Sequence, residues 1–170
     1  MKKVIYVLAV GLLLSNCEKK VVPSDKSDSA KEKQAITVLL DNWHKSAAEA
    51  NFEAYFNAMT NNSVFIGTDA SENWNYTDFK EFSKPYFDKG KAWSFTAIQR
   101  NIYMKDKVAW FDELLNTHMG ICRGSGVLSK NEAGWAIEHY VLSLTIPNDN
   151  IDAVKLINKE KDSLFLKSIK

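Results

Sequence analysis

Cysteine is scarce in this chain, with Cys17 and Cys122 the only two in 170 residues. That number excludes the disulfide framework on which small exported domains depend. Histidine is nearly as rare. His44, His118 and His139 are too far apart to form a ligand set, which argues against a metal centre, and no cofactor motif accompanies them. Excess charge of either sign is also missing. The 22 basic and 21 acidic residues are scattered and leave a net charge of +1. Without a basic stripe to neutralise phosphates, nucleic acid is not an expected partner. A hydrolase signature is absent too, because Gly124 and Gly126 flank Ser125 directly rather than at G-x-S-x-G spacing. What remains is an ordinary globular composition, 45% hydrophobic and 25% charged, at about the length of one domain. Such a chain buries roughly two-thirds of its unfolded surface without staples.

The apolar run from Val4 to Leu14 is shorter than the ~20 residues that span a bilayer, and Lys2 and Lys3 precede it. Together these features have the shape of a signal peptide. Leu14-Ser15-Asn16-Cys17 resembles a bacterial lipobox, in which the thiol is acylated and becomes the mature N-terminus; Asn16 stands where Gly, Ala or Ser is usual. Residues 1–17 are therefore read as a lipoprotein signal peptide with Cys17 lipidated and the membrane reached through that anchor. Glu18 is not the aspartate that favours inner-membrane retention in enteric lipoproteins. The expected address is the cell envelope, at the outer membrane of a Gram-negative bacterium. With Cys17 acylated, Cys122 is left alone and reads as a small buried hydrophobe. Residues 18–34 are polar, offer only Val21 and Val22 for burial, and read as a flexible tether.

Helical periodicity follows. Ile36, Leu39, Leu40, Trp43 and Ala47 predict an amphipathic helix over Ala35 to Ala50, with His44 at the edge of its apolar face read as an exposed or half-buried histidine rather than a catalytic one. Phe52, Tyr55, Phe56 and Met59 continue as a second short helix, capped by Asn51 and stopped by Asn61-Asn62. A brief strand at Ser63 to Gly67 leads into a polar loop, Thr68 to Asn75. Thr77 is a candidate N-cap for a third helix carrying Phe79, Phe82, Ser83, Tyr86 and Phe87 on one face, with Pro85 inside and Gly90 ending it.

From Trp93 the period changes to two. Trp93 to Met104, Val108 to Leu115, Ile121 to Ser129 and Trp135 to Pro147 read as strands whose short turns make them antiparallel neighbours. Several are apolar at both parities, which predicts cover on both sheet faces: helices on one and a second subunit on the other. An even loop centred between Thr117 and His118 sets Asp112 opposite Arg123, whereas a five-residue loop sets Glu113 there. In both cases Arg123 faces a carboxylate. Similar turns bring Arg100 beside Asp112 and Tyr140 beside Arg123, giving a row Arg100, Asp112, Arg123, Tyr140. Structurally it is cross-strand pairing worth roughly 0.2–1 kcal/mol per pair; functionally it is a polar floor able to hold an acidic ligand or supply a base. An acid beside arginine has a depressed pKa, which suits anchoring better than proton abstraction. After Pro147, Asp149 or Asn150 can cap a last helix from Ile151.

Three stretches carry a likeness beyond periodicity: AWFDELLNTHMGICRGSGVL at Ala109 to Leu128, GTDASENW at Gly67 to Trp74, and GWAIEHYVLSLTIPN at Gly134 to Asn148. They resemble the SnoaL-like branch of the nuclear transport factor 2 superfamily, over residues 35–148. The resemblance implies an α+β fold, a cone-shaped bent antiparallel sheet wrapped on N-terminal helices as in cystatin-like proteins, with residues 149–170 as a C-terminal helical extension. It also implies a pocket at the open end of the cone, with Asp69, Glu72 and Trp74 by its entrance, and frequent homodimerisation through the sheet. The superfamily holds polyketide cyclases and steroid isomerases that use an acid in the pocket, as well as non-catalytic binders, so the fold does not choose a function. The leading expectation is a lipid-anchored module binding a small apolar or acidic molecule among Trp74, Trp93, Arg100, Trp110, Asp112, Arg123 and Tyr140. The alternatives are an isomerase or cyclase with Asp112 as general base, and a non-catalytic dimerisation or assembly module.

Overall fold

The computed structural model describes residues 26–169; the export segment, Cys17 and the first part of the segment read as a tether lie outside them. In chain order the elements are α1 (Lys26–Ala48), α2 (Phe52–Asn57), β1 (Met59–Ile66), β2 (Asn73–Asn75), α3 (Tyr76–Asp88), β3 (Thr96–Lys105), β4 (Val108–Thr117), β5 (Gly120–Asn131), β6 (Gly134–Leu144), a 3-10 turn (Asn148–Asn150) and α4 (Ile151–Ser168). Helices first and strands later is the α+β order that the change of period predicts.

The stripe Ile36, Leu40, Trp43 and Ala47 is buried on α1 as its spacing requires. The helix begins at Lys26 rather than Ala35, so the latter part of the expected tether is helical. Lys, Ala, Glu and Gln in those turns favour helix, and Glu32 ties them to the sheet. Its carboxylate accepts from Lys130 Nζ at 2.7 Å and from Trp135 Nε1 at 2.6 Å. Asn51 caps α2 by accepting from Ala54 N–H at 3.1 Å. Strand β1 starts at Met59, so Asn61 and Asn62 occupy exposed strand positions instead of a turn. Asn75, not Thr77, caps α3, accepting from Asp78 N–H at 3.0 Å. That cap starts the helix at Tyr76 and leaves Phe79, Ser83 and Phe87 facing the core.

The sheet has six strands in the order β2-β1-β6-β5-β4-β3. All neighbours are antiparallel except β1 and β6, which run parallel, so the sheet is mixed rather than wholly antiparallel. Short turns fix the direction only of strands adjacent in sequence, and β1 is separated from β6 by most of the domain. Register shifts within the β1–β6, β3–β4 and β5–β6 pairs add local twist and curve the sheet. On the concave side Ala109, Phe111, Glu113 and Leu115 of β4 alternate inward, with Cys122, Leu128, Ile137, Tyr140 and Leu142 from β5 and β6. Helices α1 to α3 fill the hollow with rings. Phe65 stacks on Phe79 at 4.0 Å and Trp43 on Tyr55 at 4.9 Å. Each such side chain contributes roughly 1.5–3 kcal/mol through burial. The convex side keeps large apolar residues open to solvent, Ile98, Tyr103, Val108, Trp110 and Ile121, with Trp110 stacked on Tyr103. Helix α4 has no buried residue.

Candidate functional site

Past Ile66 the chain folds back on itself. Gly67 N–H donates to the Glu72 carbonyl and Glu72 N–H to the Asp69 carbonyl, each at 3.0 Å. The Asp69 carboxylate accepts from Ser71 Oγ and Ser71 N–H, which hold its pKa below the ordinary value. Asp69 is therefore a turn-builder beside the site. The Glu72 carboxylate accepts from Asp69 N–H at 3.1 Å and lies over Gly67, where an added Cβ would fall 2.1 Å from Oε2. Only glycine leaves the carboxylate room to sit there. Strand β2 then pairs Trp74 with Phe65, and the indole stacks on Phe82 at 4.4 Å.

These groups form one wall of an open cleft of about 150 Å³. Phe79, Phe82, Trp93, Phe95, Met119 and Leu142 supply most of the rest, and Thr68, Glu72 and His118 its polar lining. An apolar cavity of about 150 Å³ is large enough for benzene. The cleft thus has the size and surface for one ring or a short aliphatic chain.

Beneath it lies a buried ionic knot. Glu113 is fully buried, and its Oε1 meets His44 Nε2 at 2.8 Å and accepts from the Tyr140 hydroxyl at 3.1 Å. Its Oε2 accepts from Arg100 Nε at 2.8 Å, with Arg100 Nη2 ion-paired at 2.7 Å but not aligned for a hydrogen bond. Arg100 Nη1 continues to Asp41 Oδ1 at 2.7 Å. Burial by itself would raise the Glu113 pKa; the hydrogen bond and charge of His44, and then Arg100, outweigh it and hold the pKa below the ordinary value. Burial pushes the Tyr140 hydroxyl well up, and Glu113 pushes it further. An added Cβ at Gly124 would lie 2.2 Å from Tyr140 Oη, so this in-strand glycine admits the tyrosine. The His44 ring lies 6.0 Å from Phe95, and Tyr140 lies 5.4 Å from Phe65. The knot therefore stands behind the rings of the cleft floor and supports them without touching its contents.

Glu72, Trp74 and Trp93 line the cleft, with Asp69 alongside. Arg100 and Tyr140 do come together, at Glu113. Trp110, Asp112 and Arg123 do not join them. The β4–β5 turn consists of His118 and Met119, which sets Asp112 opposite Ser125 and Arg123 opposite Leu114. Asp112 accepts from Asn101 Nδ2 at 3.1 Å and lies 3.9 Å from a largely exposed Arg123, on the convex face. The candidate base thus points away from the cleft, and the row of four polar residues is replaced by a cluster around Glu113. Glu113, which the sequence offers only as the alternative partner of Arg123, is the centre of that cluster, and His44 is buried rather than at an edge. The available signal was its i+4 spacing from Leu40, which itself stands four residues after Ile36. His118 and Met119 reach the cleft from the β4–β5 turn, where periodicity assigns no facing.

A family model described as a SnoaL-like domain matches residues 36–147. Among solved structures, a nuclear transport factor 2-like protein of unknown function from Pseudomonas putida has 11% identity and a TM-score of 0.59, with 72% of this chain and 92% of that one covered. A protein of unknown function with a cystatin-like fold from Nostoc punctiforme has 12% identity and a TM-score of 0.58, covering 68% and 92%. A nuclear transport factor 2-like protein from Cytophaga hutchinsonii has 11% identity and a TM-score of 0.56, covering 67% and 98%. No curated protein matches the chain. At these identities the likeness is one of fold.

Proposed function

We propose that this chain, which belongs to the SnoaL-like domain family, is a binding module that holds a small, largely apolar molecule in its aromatic cleft. The observation that carries the reading is the cleft itself: the rings of Trp74, Phe79, Phe82 and Trp93, packed edge by edge with Trp74 stacked on Phe82, line an open space that they do not fill. Burying an apolar guest there gains about 25 cal/mol per Å² removed from water, and the ionic knot behind keeps the floor from collapsing. Binding is favoured over isomerase or cyclase chemistry because neither Asp112 nor Glu113 reaches the cleft; among the described residues Glu72 is the one carboxylate that lines it, and it serves the loop as a hydrogen-bond acceptor. Asp112 faces away and Glu113 is sealed.

Two further parts of the reading rest on other residues. The lipobox-like sequence ending at Cys17 supports attachment of the domain to the cell envelope, at the outer membrane. The apolar convex face around Tyr103 and Trp110 supports a homodimer formed through the sheet. The ligand reading is tested by following the Met119 methyl resonance while toluene is titrated into the purified chain. A saturable shift that disappears in Trp74→Ala is expected. A resonance that toluene leaves unmoved would overturn the reading.

A further inference from the structure

The aromatic cleft does not end at its rings. Trp93 and His118 also border a second hollow, lined by Lys91, Ala92, Ser94, Thr96, Asn116 and Thr117. The two adjoin across those shared side chains, the aromatic cleft apolar and the neighbouring hollow polar, and together are called the depression. No carboxylate lines the polar end, and Lys91 supplies it with a full positive charge. Among the described residues, the Lys91 ammonium takes part in no ion pair, and the side chains of Ser94, Thr96 and Asn116 make no hydrogen bond. At the opposite end stands Glu72, whose carboxylate is fixed by Asp69 N–H.

We propose that the depression binds an amphiphilic monoanion, its single ring or short chain among Trp74, Phe82 and Trp93 and its carboxylate beside Lys91. This inference rests on the binding role proposed for the cleft and adds the class and orientation of the ligand. Two charges set the direction. An anionic head at the inner end would meet Glu72 and be repelled, whereas at the outer end it meets a free ammonium with hydroxyl and amide donors around it. Charge-assisted hydrogen bonds of this kind are about twice as strong as neutral ones, so the head adds affinity as well as orientation. The size of the apolar end limits the body to roughly one benzene ring.

The test titrates the purified full chain with toluene, benzamide and benzoate at neutral pH, following the Met119 methyl resonance. Benzoate is expected to bind about tenfold more tightly than its neutral isostere benzamide, a difference of one charge-assisted contact. In Lys91→Ala, benzoate is expected to fall to the level of benzamide while benzamide is unchanged; Lys91 is exposed and its loss leaves the core intact. Added salt is expected to weaken benzoate alone. If toluene and benzamide bind but benzoate is no tighter, or if Lys91→Ala leaves benzoate as it was, the anionic head is refuted while the cleft reading stands. If none of the three binds, the cleft reading falls and this inference with it.

Discussion

Replacing Glu113 by alanine is the most demanding perturbation that the structure suggests. The side chain is fully buried and meets His44, Tyr140 and two nitrogens of Arg100, all within 3.1 Å. Alanine removes the only carboxylate buried in the core among the described residues, leaving the buried guanidinium with Asp41 at its solvent side and the Tyr140 hydroxyl without an acceptor. Removing one partner of a buried ion pair costs about 3–5 kcal/mol. Glu113→Gln keeps the shape and one acceptor oxygen, and is expected to cost less, on the order of 2 kcal/mol. Chemical denaturation measures both, since a lower midpoint at constant slope reports lost stability alone. In a cycle with Arg100→Met, the double variant is expected to be more stable than the sum of the two single losses by roughly 2 kcal/mol, because neither partner is then stranded. The pH dependence has a definite sign. Glu113 has a lowered pKa in the folded chain, so its contribution is present above the unfolded value of roughly 4.3 and disappears as the pH falls through the folded one. Wild type should lose stability on acidification more steeply than Glu113→Gln. A Glu113→Ala cost below about 1 kcal/mol, or a cycle additive within about 0.5 kcal/mol, would refute the central place given to this carboxylate.

Other substitutions probe separate parts of the fold. Gly124→Ala drives a methyl into Tyr140 Oη and is expected to cost about 1–3 kcal/mol, part of it recovered when Tyr140→Phe removes the clashing oxygen; a thermal-melt cycle shows whether recovery occurs. Asp112→Asn, on the convex face, should change stability by no more than about 0.5 kcal/mol and leave toluene binding intact, as denaturation and titration would reveal. Trp110→Glu places charge in the middle of the exposed apolar face; under the proposed homodimer, sedimentation velocity is expected to find dimer for the unaltered chain and monomer for this variant.

Much of the fold can be read from periodicity, because the helical stripes have a single apolar face each. Ile36, Leu40, Trp43 and Ala47 went where their spacing sent them, as did Phe79, Ser83 and Phe87. The sheet resists the same treatment. Trp110 and Leu114 alternate with Phe111 and Leu115, and since the convex face is apolar too, neither parity announces itself as the inner one. The site depends on this choice, since it decides whether Asp112 or its neighbour Glu113 enters the core. Moving the turn to His118 and Met119 shifts every cross-strand partner by two positions. That displacement keeps the faces but takes Arg123 away from Asp112. The parallel pairing of β1 with β6 had no local signal, because nothing in a turn specifies a neighbour so distant in sequence.

That distant pairing also governs when the molecule can fold. Val64 finds its neighbour at His139 and Phe65 at Tyr140, so the β2–β1 pair and the β3-to-β5 portion of the sheet stay unjoined until the final strand is available. Closing so long a loop is entropically costly and slows assembly. A nascent polypeptide released residue by residue from the ribosome would stay threadable until nearly all of it had emerged. In the envelope reading proposed above, where the precursor must pass through a narrow translocon, late closure is an advantage: the same topology that delays the native state would keep the chain competent for passage.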